Sequence, residues 1–148
     1  MESLLLSIHV VAGILFVGPV AVATSLFPRY VPVAGAAATG ERSLDTARLL
    51  YRISRGYGVL ALVVPIVGLV LAAVQGRTTE IWVVAAMVLT ALAGGLLALQ
   101  IVPRQQQALE QPDDGTALRR LAMMAGVVNL LWVIVVVLMI VRPGSGYA

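Results

Sequence analysis

Residues 121–141 read LAMMAGVVNLLWVIVVVLMIV, an uncharged run closed off by Arg120 on one side and Arg142 on the other. About 20 apolar residues in helical form cross a hydrocarbon core of roughly 30 Å, so a run of this length without charge reads as a membrane-spanning helix. Three more runs satisfy the same criterion. One extends over 3–27, with no charge between Glu2 and Arg29; another over 56–74, between Arg55 and Arg77; the last over 81–102, between Glu80 and Arg104. The sequence therefore predicts an all-α integral membrane four-helix bundle in a single domain, residues 1–148. Its larger connections, 28–55 and 103–120, lie on one side of the membrane.

Composition points the same way. Only 11% of the 148 residues are charged and 60% are hydrophobic, with a mean hydropathy of +0.99, against about 25% charged in soluble domains. A soluble globular domain and a disordered chain are both excluded. The net charge of +3 has a topological cause rather than a nucleic acid partner. All basic residues are arginine, a usage associated with GC-rich bacterial genomes. Arg29, Arg42, Arg48, Arg52, Arg55, Arg104, Arg119 and Arg120 fall in the two larger connections, leaving Arg77 and Arg142 for the opposite side. Arginine asymmetry of this kind places the larger connections in the cytoplasm and both termini outside, as a multi-pass protein of a bacterial plasma membrane. The opening Met-Glu-Ser lacks the basic stretch of a cleavable signal peptide, and no lipidation motif is expected.

Local signals refine the outline. Ser43 is a plausible N-cap, with Asp45 in the first turn behind it. Asp113 and Asp114 are expected to cap a helix leading through Arg119 and Arg120 into the last span. Pro28 and Pro103 punctuate the exits of the first and third spans, while Pro19 and Pro65 lie inside spans and are expected to kink them. A common offset of 70 relates Thr46-Ala47 to Thr116-Ala117, Gly56 to Gly126, Leu60 to Leu130 and Val63 to Val133. This pattern suggests a 2+2 helical-hairpin pseudo-repeat. Membrane helices pack through small residues, and each span carries some: Ala12, Gly13, Gly18 and Ala23; Gly58, Ala61, Pro65, Gly68 and Ala72; Ala91, Gly94, Gly95 and Ala98; Ala122, Ala125 and Gly126. These faces suit either a compact bundle or a homo-oligomer.

No Asp, Glu, Lys or Arg lies within any span, which removes the working parts of proton relays, cation antiporters and voltage sensors. Two polar side chains inside the spans stand out, His9 and Asn129, with Gln100 near enough to an interface to reach it. His9 lies roughly 8 Å inside the first span at 1.5 Å per residue. It reads as a hydrogen-bonded anchor near the outer interface, to Ser7 or a neighbouring helix, or else as the centre of a small site. As the only histidine it cannot form bis-histidine haem within one protomer. Asn129, roughly 18 Å from the outer end of its span, reads as an inter-helix hydrogen-bonding group. Arg48, Arg52 and Arg55 share one helical face at i, i+4 and i+7, suited to anionic lipid headgroups or an acidic partner. No phosphate-binding loop, catalytic triad, paired carboxylates or cysteine is present, so no cofactor, metal or enzymatic activity is expected.

Residues 4–30, from LLLSIHVVAGILFVGPV through Phe27-Pro28-Arg29-Tyr30, with His9, Gly13 and Gly18 as the motif, resemble the opening of a bacterial family of small integral membrane proteins of unknown function. That family in turn resembles, more distantly, the membrane portion of copper-resistance D proteins. The resemblance implies a four-helix fold with no assigned activity. The function expected from the sequence is a non-enzymatic scaffold or accessory subunit of a larger membrane complex; the alternative is a small homo-oligomeric transporter or channel.

Overall fold

The computed structural model describes residues 1–34, 42–112 and 115–146, which fold into four long helices: α1 (Glu2–Tyr30), α2 (Leu44–Val74), α3 (Ile81–Glu110) and α4 (Thr116–Val141). Each is long and apolar enough to cross a membrane, and no strand occurs among the described residues. The bundle's outer surface carries Leu4, Val22, Ile66, Val88, Leu92, Leu130 and Ile140, all exposed. A water-soluble bundle would turn such side chains inward; here they form the surface that meets lipid.

The helices alternate in direction, so the bundle has two distinct ends. Glu2, Gln75, Trp82 and Arg142 gather at one, linked by a Gln75 Nε2–H donating to Glu2 at 3.4 Å and by Arg142 over the Trp82 ring at 5.6 Å. This is the distal end. Tyr51, Ser54, Gln105 and Gln106 meet at the other, the basic end.

Three prolines interrupt the regular hydrogen-bond ladder, because proline has no N–H to give the carbonyl four residues back. Ahead of Pro19 the ladder of α1 slips to π register over Gly13–Val17. In α2 it tightens at Ala61–Leu62, where Leu62 N–H donates to Val59 O at 3.2 Å and Val64 N–H to Ala61 O at 3.1 Å. The second bond satisfies the carbonyl that Pro65 cannot reach. Ahead of Pro103 the ladder of α3 slips to π register over Leu97–Ile101. It then continues to Glu110, so the helix runs well past the expected exit of the third span at Val102. Proline is tolerated there because it occupies the first turn of the resumed α register. Likewise α1 continues through Pro28 to Tyr30. The counterpart of the Ala61–Leu62 break at an offset of 70, Leu131–Trp132, lies in unbroken helix.

Helix ends follow local chemistry. Ser43 Oγ accepts from Thr46 N–H at 3.4 Å, capping α2 as its sequence predicts. The Arg42 guanidinium donates to Pro28 O and Val31 O, closing the C-terminus of α1. Gly76, at φ +68, ends α2 in a Schellman motif: Arg77 N–H reaches Ala72 O at 2.8 Å and Gly76 N–H reaches Ala73 O at 3.1 Å. The caps expected from Asp113 and Asp114 lie outside the described residues.

Packing differs sharply between the two ends. Phe27, Val31, Ala47, Leu50, Ile101, Leu118 and Leu121 form a fully enclosed cluster toward the basic end. Distally, Val63–Val74 of α2 and Ile81–Leu96 of α3 barely touch. The small-residue faces divide similarly. Ala12, Ala23 and Ala72 are buried, and a Cβ added to Gly58 would come within 3.2 Å of Leu97. On α3 and α4, Ala125 is buried and Gly94 and Gly95 are half-buried, lining the second recess with the more exposed Ala91, while Ala98, Ala122 and Gly126 are exposed; Ala86 and Ala93 are buried as well. The predicted sets on these two helices are thus divided between the interior, where Ala125 is buried, and the surface.

Candidate functional site

His9 is placed by the contact of α1 with the distal half of α2. The residue is 8% exposed, and Nδ1 lies 2.9 Å from Val64 O. A carbonyl only accepts, so Nδ1 bears a hydrogen and donates it; in the neutral imidazole the acceptor is then Nε2. The bond crosses to a neighbouring helix; Ser7 instead donates to Ser3 O within its own helix at 2.7 Å. Gly68 makes the approach possible, since a Cβ there would sit 2.7 Å from His9 Cε1. The small stripe of α2 is thus a seat for the imidazole.

His9 lines a recess of about 240 Å³ together with Pro65, Gly68, Trp82, Trp132 and Met139. A second recess of about 290 Å³ lies toward the basic end, lined by Val20, Gly58, Ala61 and Gly95 among others. The two meet at Pro65, Met87, Thr90 and Trp132. At the distal rim, the Trp82 indole N–H donates to Glu80. Glu80 also pairs with Arg77 at 3.7 Å.

Asn129 belongs to a different contact. Its Nδ2–H donates to Ser25 Oγ at 3.0 Å, tying α4 to α1, while Ser25 donates onward to Ala21 O at 2.7 Å. Inter-helix bonds of this kind contribute about 1 kcal/mol, and the arrangement fits an inter-helix tie. The structure does not bring His9 and Asn129 together.

At the basic end, Arg48, Arg52 and Arg55 line one open groove between α2 and α3, with Tyr51, Gln106 and Glu110 on its walls. Arg48 also pairs with Asp45 at 3.8 Å, in a position too exposed to hold either side chain firmly. Gln100 turns toward the surface, accepting from Arg104 at 3.1 Å.

Sequence reasoning missed the pair Ser54 and Gln105. Both are fully buried; Gln105 Nε2–H donates to Ser54 Oγ at 3.3 Å, and Gln105 Oε1 finds no partner among the described residues. The signal was present but masked. Gln105 follows the buried Ile101 by four residues, so a helix continued past Pro103 puts both on one face. Within the run Gln105-Gln106-Gln107 it otherwise reads as solvent-facing connection.

Among the described residues no three His, Cys, Asp or Glu side chains converge on a metal-sized space. No protein-family model, curated protein or solved structure matches this chain. The four apolar helices define the class on their own: an all-helical, multi-pass integral membrane protein.

Proposed function

We propose that this chain is a non-enzymatic membrane protein of the bacterial plasma membrane, a scaffold or accessory subunit of a larger membrane assembly, with its basic end in the cytoplasm and both termini outside. The observation that carries this reading is the groove at the basic end, where Arg48, Arg52 and Arg55 project from one helix over a recess walled by α3. Three fixed positive charges beside a tyrosine and a glutamine at the membrane surface suit an acidic segment of a partner subunit. Anionic lipid headgroups meet the same chemistry at about 1 kcal/mol per charge. The lack of Asp, Glu, Lys and Arg within the spans fits a structural role better than ion movement.

The test is native electrophoresis of solubilised membranes. Wild-type chain should migrate in a large hetero-complex, and a variant carrying Arg48→Ala, Arg52→Ala and Arg55→Ala should fall to a small species at unchanged protein level. That variant still leaves five arginines on the proposed cytoplasmic side against Arg77 and Arg142 opposite, so its orientation should hold. A triple variant that stays in the large complex would remove the groove from the assembly.

Orientation has its own check. Cysteines introduced at Gly40 and Thr78 should label from opposite faces of intact cells, the second from outside with a membrane-impermeant maleimide. Reversed labelling, or labelling of both from one face, would overturn the arginine argument.

A second reading, the small homo-oligomeric transporter or channel, draws on the two recesses in series that meet at Pro65. Kinks at Pro19 and Pro65 and a hairpin repeat would give it moving parts, and the outward Ala122 and Gly126 offer a smooth face for a second copy. Migration of the wild-type chain as a small homo-oligomer in the same gel would favour it.

A further inference from the structure

Both tryptophans of the chain, its only histidine, and Met87 and Met139 line the distal recess. Val63–Val74 and Ile81–Leu96 both line it while making little contact with each other, which leaves a route to lipid between them. The lining is almost wholly apolar, and few of its groups could hold water. Against that background His9 is conspicuous. It is more than nine-tenths buried, its Nδ1–H is committed to Val64 O, and among the described residues no donor engages Nε2. Nε2 is not among the enclosed unpartnered atoms, so it is open to the recess rather than sealed away, and in apolar surroundings an acceptor so placed suits a donor brought by a ligand.

We propose that this recess binds a membrane-soluble phenol: an aromatic ring whose hydroxyl donates to His9 Nε2, with any apolar tail leaving between α2 and α3 into the bilayer. An apolar cavity of about 150 Å³ accommodates benzene, so about 240 Å³ has room for a substituted ring. Trp82 and Trp132 offer ring faces and edges, and Met87 and Met139 offer polarizable sulfur that contacts aromatics favourably. A purely aliphatic chain would fill the volume but leave Nε2 without a donor. The ligand site does not depend on whether the chain works within an assembly or by itself.

The two tryptophans make the site self-reporting. Protein in lipid nanodiscs at pH 7 is titrated with 4-bromophenol and, in parallel, with 4-bromoanisole, which has the same ring and quenching bromine but no donor. Concentrations are expressed as those partitioned into the lipid. The phenol should quench tryptophan fluorescence saturably, with half-effect at about tenfold lower concentration than the anisole, the gain expected from one hydrogen bond. His9→Leu should bring the phenol curve onto the anisole curve. Equal curves for the two probes, non-saturating quenching as from simple partitioning, or a phenol preference that survives His9→Leu would each overturn the assignment. Should His9→Leu fail to fold, the wild-type pair of curves decides alone.

Discussion

Gly68→Leu is expected to lower the apparent Tm of the purified protein by roughly 5–10 °C, the effect of at least the ~1–3 kcal/mol that overpacking costs. The reason is geometric: even the first carbon of a side chain at Gly68 would lie 2.7 Å from His9 Cε1 and 3.2 Å from Nδ1. Moving the ring away would also break its bond to Val64 O. A thermodynamic cycle isolates the contact. Gly68→Ala should destabilise the wild-type protein, yet in a His9→Ala background it should stabilise, because alanine is favoured over glycine in a helix by about 1 kcal/mol once the clash is gone. An unchanged Tm for Gly68→Leu would place that face of α2 against lipid and undo the seat proposed for the imidazole.

Phe27→Ala should cost about 3–5 kcal/mol, the usual result of emptying a large aromatic site in a closed core. Phe27 is fully buried among Val31, Leu50, Ile101 and Leu121 near the basic end, where nothing can move in to fill the space. Met87→Ala is the comparison. Met87 is only half-buried and stands between the two recesses, so its truncation enlarges space already open and should cost about 1 kcal/mol or less. Thermal unfolding of both variants in one detergent measures the difference. Equal losses would mean that the distal half is as closely packed as the basic half, and the recess would lose its physical basis.

The unequal packing has a consequence for where function can reside. A closed cluster at one end fixes the helices relative to one another, leaving the distal halves of α2 and α3 free to diverge without unravelling the bundle. The distal recess, the histidine and Trp82 lie in the divergent half, while Trp132 spans the two, packing against the closed cluster as well. The arginine groove sits instead on the surface of the closely packed half, a suitable foundation for docking.

What the sequence determined by itself was everything governed by the length and sign of its runs. Four spans follow from charge-free stretches because lipid tolerates neither unpaired charge nor open backbone. The Ser43 cap and the shared face of Arg48, Arg52 and Arg55 follow from local helical geometry. The end of α3 did not, because whether a proline stops a helix depends on whether the ladder ahead of it can slip register, as Leu97–Ile101 does. Nor did the partners of His9, Asn129 and Gln105. In an almost uniformly apolar sequence, periodicity barely distinguishes a lipid-facing side from a protein-facing one, as the exposed Ala98 and Ala122 attest. Only the docking of α1 on α2 decided that the imidazole would lie on Gly68 and hydrogen-bond through Nδ1 to Val64 O. That outcome rests on a close approach between residues more than fifty positions apart, and no local rule in the chain encodes it.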